Sequence, residues 1–131
     1  MTAYVEASLC PAAKKELAQA HGEAGDVNVR AVCLPNPREG GKLNLAIIGA
    51  NARRATEDST AVVFIGAIDP RASGFADPIL ETAEIPTIYT DSGSAAMDRT
   101  LAILRSAGSG SLRGELQDRL ARPNGDPPLG D

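Results

Sequence analysis

Apolar positions in this chain come in short runs separated by polar, helix-spaced segments. The clearest run is Ala61–Asp69, AVVFIGAID, which carries β-branched and aromatic residues and no charge until its end. A run of this kind suits a strand covered on both faces, as in a parallel sheet between helices. Gly66 lies late in it and Pro70 follows, so the chain is expected to stop pairing there. Ala67–Ser73 would then be exposed at the carboxyl edge of the sheet, where ligands usually bind in open α/β folds.

The remaining elements follow from the same periodicities. Ala3–Cys10 reads as a first strand with Glu6 as its odd member, a carboxylate expected near an edge or a solvent gap. Pro11–His21 reads as a helix, with Pro11 in its first turn, Ala13, Leu17 and Ala20 on one face, and Gly22 as its stop. Val27–Leu34 is a second strand. Asn36-Pro37 and Gly40-Gly41 mark a loop, and Leu43–Asp58 is a second helix through Leu45, Ile48, Ala52 and Ala55. Asp77-Pro78 resembles a cap and first-turn pair, which places a helix over Pro78–Glu84. Ile85–Tyr89 is a short fourth strand with Pro86 at its start. Ser92–Ala107 is a helix with a Met97, Leu101, Leu104 stripe. Ser111–Ala121 is a last short helix through Leu112, Leu116 and Leu120. Residues 1–121 thus form one α/β domain, and 122–131, RPNGDPPLGD, read as a disordered tail.

The alternation βαβαβαβαα predicts a parallel sheet of about four strands with right-handed crossovers, a three-layer αβα sandwich. The expected strand order is the flavodoxin-like 2-1-3-4, with a switch point between the first and third strands.

Composition narrows the function. With 131 residues, 43% of them hydrophobic, the chain can bury one core. Only 3% are aromatic and none is Trp, so Val, Ile, Leu and Ala must build it. A net charge of -4, with no basic block beyond Lys14-Lys15 and Arg53-Arg54, argues against a nucleic-acid partner. No run reaches a membrane-spanning length, and Met1 leads directly into a strand rather than a signal peptide, which leaves open both a cytoplasmic protein and a mature segment carrying a start Met. GxGxxG and GxxxxGK[ST] are both absent, so Gly40-Gly41 reads as a plain turn. His21 is the sole histidine, which leaves no Ser-His-Asp set and no metal set; no catalytic residue and no cofactor are expected. A receiver-type reading would find its Asp in Asp69, but Cys10-Pro11 stands where its acidic pair after strand one should be. Cys10 and Cys33 read either as two buried thiols or as a disulfide between the ends of adjacent strands.

One resemblance adds to this. The blocks ANARRATEDSTAVVFIG and PILETAEIP, within Ala12–Thr87, resemble the first lobe of type I periplasmic binding proteins, in particular the branched-chain amino-acid receptors of ABC importers. Beyond Tyr89, GSAAMDRTLAILRSAG is similar to a helix near the family's carboxyl end that returns to pack on the first lobe. On this resemblance the chain is expected to pass from strand four directly to the returning helix, without the family's second lobe. The resemblance implies a non-catalytic solute-binding domain in the cell envelope or outside the cell. It implies an amino-acid-like ligand held at the carboxyl edge by Ser73, by the backbone at Ala72, by the Arg71 cation, and by hydroxyls at Thr90 or Ser92. Half a clamshell would bind weakly, in the millimolar rather than the micromolar range. The competing expectation is a structural or interaction module, a homodimer that covers the surface left by the lost lobe.

Overall fold

The computed structural model describes residues 1–106 together with Gly114, Leu116, Asp118 and Leu120. In chain order the elements are β1 (Thr2–Glu6), α1 (Cys10–Gln19), β2 (Glu23–Ala24), β3 (Val27–Asn28), β4 (Arg30–Leu34), β5 (Arg38–Glu39), β6 (Lys42–Leu43), α2 (Leu45–Thr56), β7 (Ala61–Ala67), α3 (Pro70–Thr82), β8 (Thr87–Thr90) and α4 (Gly93–Ser106). The main sheet is parallel throughout, in the order β4-β1-β7-β8. Counting only its strands, that is the expected 2-1-3-4, with the switch point between β1 and β7.

Two apolar clusters sandwich the sheet. On one face Ala3, Val5, Val63 and Ile65 meet Ala13 and Leu17 of α1 and Ala96, Met97, Leu101 and Leu104 of α4. On the other, Tyr4, Leu34 and Phe64 meet Ile48, Ala52 and Ala55 of α2 and Ala72, Ala76 and Leu80 of α3. Strands buried on both faces need apolar residues at every position, and β7 is buried from Ala61 to Gly66. Leu116 and Leu120 are helical; Leu116 is fully buried in the first cluster and Leu120 packs against it. The expected tail 122–131 lies outside the described residues.

Local chemistry shifts several boundaries. The first strand ends at Glu6, four residues early, because Cys10 already belongs to α1. The expected strand Val27–Leu34 is divided: Val27 and Asn28 pair back on Glu23 and Ala24 in a hairpin turning at Gly25-Asp26, and only Arg30–Leu34 joins the main sheet. Gly40-Gly41 turn a second hairpin, Arg38 opposite Leu43 and Glu39 opposite Lys42, where a loop was expected. Both glycines have positive φ, 57° and 80°, as a tight two-residue hairpin requires. α2 then starts behind Asn44, whose side chain accepts from the Ala46 and Ile47 N–H groups.

The largest correction concerns α3. It does not begin at Pro78 but at Pro70, with the Asp69 side chain accepting from the Arg71 and Ala72 N–H groups. The cap and first-turn pair is Asp69-Pro70, and the second Asp-Pro, Asp77-Pro78, lies inside the helix. Pro78 deprives the Gly74 carbonyl of its intrahelical partner, but both residues are exposed, so water can serve that carbonyl. Asp77 instead accepts from the Tyr89 hydroxyl at 2.6 Å.

A polar network fastens the amino-terminal end of the sheet. The Tyr4 hydroxyl donates to Asp58 at 2.6 Å, and the Thr60 hydroxyl and N–H both donate to the other Asp58 oxygen. These bonds, that from Tyr4 foremost, hold the Asp58 pKa down at about 2 against an ordinary 3.8. A depressed carboxylate stabilises the fold above its unfolded pKa and loses that contribution as pH falls through its folded one. Tyr4→Phe is therefore expected to cost about 1–2 kcal/mol at neutral pH. The gap to the parent should close as pH drops from near 4 through about 2. Urea unfolding at stepped pH measures it, and a gap that persists at pH 2 would remove Asp58 from the explanation.

Candidate functional site

The switch point sets two strands and two helix starts around one edge. Glu6 closes β1, Ala67 closes β7, and the chain turns through Ile68 and Asp69 into α3. Glu6 was expected near an edge or a solvent gap. It lies instead in a central strand and is 7% exposed. Its Oε1 accepts from the Ala67 N–H at 3.1 Å, a bond that joins β1 to β7 across the crevice. Burial raises the Glu6 pKa, opposed by the Ala67 N–H and the Arg38 charge and reinforced by the Asp69 charge. A Cβ on Gly66 would lie 3.2 Å from Glu6 Oε2 and from the Tyr89 ring, so the absence of a side chain there makes room for both. Burial and the bond to Asp77 raise the Tyr89 phenol in turn.

Above this crevice Arg38, from the β5–β6 hairpin, forms an ion pair with Asp69 Oδ2. Burial pushes the Asp69 carboxyl up, but the Ala72 and Arg71 N–H groups and the Arg38 guanidinium outweigh it and hold it below the usual range. The crevice is thus filled by the protein's own groups. The first N–H groups of α3, which the expected site offered to a ligand carboxylate, are engaged by Asp69.

The expected hydroxyls are engaged too. Ser73 stands in the first turn of α3 and donates back to the Pro70 carbonyl at 3.3 Å. Thr90 Oγ1 accepts from the Ser92 N–H at 2.9 Å, and Ser92 Oγ accepts from the Ala95 N–H at 3.1 Å at the start of α4. All three are partly buried and serve turns and helix starts. Ala72 is a core residue, 7% exposed.

Arg71 differs from these. It is exposed and borders an open groove of about 470 Å³ with Leu43, Leu45, Pro70, Gly74 and Phe75. The groove lies beside the crevice, between the end of the β5–β6 hairpin, the start of α2 and the first two turns of α3. The Phe75 ring rests on α2: a Cβ on Gly49 would lie 3.2 Å from Phe75 Cε2. Sequence reasoning named Arg71 but missed the groove, because its walls come from two stretches far apart in the chain, 43–45 and 70–75. Leu45 opens α2 and Phe75 lies in the second turn of α3, and both are exposed.

Cys10 and Cys33 are joined by a disulfide, with 5.7 Å between their Cα atoms. Cys10 is buried at the start of α1, and Cys33 is exposed on the edge strand β4. Among the described residues, no group of three or more His, Cys, Asp and Glu side chains is placed to hold a metal ion. No described helix is long and apolar enough to cross a membrane. Comparison with protein-family models, with curated proteins and with solved structures returns no match.

Proposed function

We propose that the chain is a non-catalytic, single-lobe solute-binding domain, akin to the first lobe of type I periplasmic binding proteins, that takes a small carboxylate at the carboxyl edge of its sheet. The observation that carries this reading is the Arg71 groove. It sets a cation at the rim of an apolar hollow of about 470 Å³, toward the lower end of the roughly 300–1,000 Å³ typical of small-molecule sites. The strand order and the resemblance over Ala12–Thr87 support it, and the disulfide favours an oxidising compartment. The ligand contacts move from Ser73, Thr90 and Ser92 to Arg71 and its apolar neighbours.

One observation favours a second reading, a homodimeric interaction module. Leu45, Ile68 and Phe75 are 48%, 64% and 42% exposed, all near this edge, and exposed apolar surface of this kind is often covered by a partner.

Calorimetric titration with a panel of amino acids and simple carboxylates, with light-scattering mass in parallel, separates the two. The solute-binding reading predicts a monomer with saturable binding in roughly the millimolar range, since an open groove encloses little of its ligand. A stable dimer indifferent to every panel member would overturn it in favour of the interaction module.

A further inference from the structure

Resting on the reading of the Arg71 groove as a binding site, we infer that its ligand is a simple monocarboxylate with a branched aliphatic or aryl body, and not an α-amino acid.

Leu43, Leu45, Pro70, Gly74 and Phe75 bring no side-chain acceptor, and among the described lining residues Arg71 is the charged one. An α-ammonium entering here meets no carboxylate among these described lining residues. The nearest acid in sequence, Asp69, is committed: Oδ1 accepts from the Arg71 and Ala72 N–H groups, and Oδ2 is held by Arg38.

That same commitment decides how the ligand carboxylate is held. With the α3 N–H groups taken by Asp69, the Arg71 guanidinium is the charged donor at the groove. Its planar fork matches a carboxylate in two parallel bonds. An α-ammonium sits two bonds from the carboxylate carbon, so it would be held within a few ångströms of the guanidinium. The like charges repel, and the zwitterion as a whole is neutral where the simple acid is a monoanion. At such a separation in a groove open to water, one charge–charge interaction is worth about a factor of five to ten in affinity.

The body of the ligand is set by the walls. Leu43, Leu45 and Phe75 offer aliphatic and aromatic contact to a branched or aryl group, and Gly74 keeps the floor open: a Cβ there would meet nothing within 4 Å. A short polar acid would leave these walls uncovered.

The test compares three near-isosteric probes, 4-methylpentanoate, its primary amide and leucine, by calorimetric titration of the full chain and of Arg71→Gln. Arg71 is exposed, so the variant should keep the parent's circular dichroism and unfolding midpoint. The expected order is the acid tightest, leucine about five- to tenfold weaker, and the amide about tenfold or more weaker. In Arg71→Gln the preference for acid over amide should disappear. Leucine binding as tightly as the acid, or the amide equalling it, would overturn the inference while leaving the groove a binding site. No saturable binding by any of the three would overturn the inference, and the site reading with it if the wider panel also fails.

Discussion

Gly93→Ala is expected to destabilise the protein by about 3 kcal/mol or more, the largest effect of any single methyl group described here. Gly93 opens α4, and its backbone lies directly against the turn between β1 and α1. A Cβ at Gly93 would stand 2.1 Å from the Leu9 carbonyl oxygen and 3.0 Å from its carbon. The obstacle is backbone and not the end of a flexible side chain, so either α4 or the start of α1 must move. Neither moves freely. The Leu9 carbonyl accepts from the Ala13 N–H, and both helices are buried in the same cluster through Ala13, Leu17, Met97 and Leu101. A loss of this size is a large share of the roughly 5–15 kcal/mol that holds a typical domain together. Gly74→Ala is the matched control: it too is helical, but its Cβ enters open space. That change should be neutral or stabilising by up to about 1 kcal/mol. Urea midpoints compare the two, and equal midpoints would mean that α4 does not sit against Leu9 as described.

The second large effect is expected from the disulfide. Cys10 and Cys33 are 23 residues apart in sequence. Closing a loop of that length removes unfolded-state entropy worth about 3 kcal/mol. The bridge also ties the start of α1 to β4, an edge strand paired on one side only, to β1. The double change Cys10→Ser, Cys33→Ser should lower stability by about that amount, with reduction of the parent giving a similar loss. Cys33 is exposed, so a soluble reductant can reach the bridge without global unfolding. Unfolding midpoints that do not respond to reductant would show that the bridge constrains nothing.

The fold was readable because its main strands carry a binary signal that few alternatives share. Ala61–Ala67 is apolar at every position, and the helices between strands keep their stripes, such as Met97, Leu101 and Leu104. Those patterns suffice for a parallel sheet and its order. They say little about ends. The chain offers Asp-Pro twice, and both read as helix starts. Asp69-Pro70 takes that role because the strand ends at Ala67 and leaves the N–H groups of Arg71 and Ala72 to be satisfied at once. The two hairpins were hidden because pairs of two residues are too short for any periodicity to register.

The site was harder to read than the fold. Ser73, Thr90 and Ser92 are residue types that bind anions and also the types that cap helices and turns, and sequence does not say which task each performs. Their partners here are local backbone groups. Asp69 is the acid nearest to Arg71 in the chain and would be the obvious partner to neutralise it. It pairs instead with Arg38, 31 residues away, which the β5–β6 hairpin brings to it. Arg71 borders the groove instead, and no reading of the loop alone contains that exchange.

The central claim is that ligand sits in the Arg71 groove and not in the β1/β7 crevice or on the hydroxyls after β8. The most direct measurement is amide chemical-shift mapping of the labelled protein titrated with 4-methylpentanoate. The account predicts saturable shifts centred on Leu43, Leu45, Arg71, Gly74 and Phe75, with Thr90 and Ser92 unmoved. Shifts centred on Ala67, Thr90 and Ser92, or none that saturate, would contradict it.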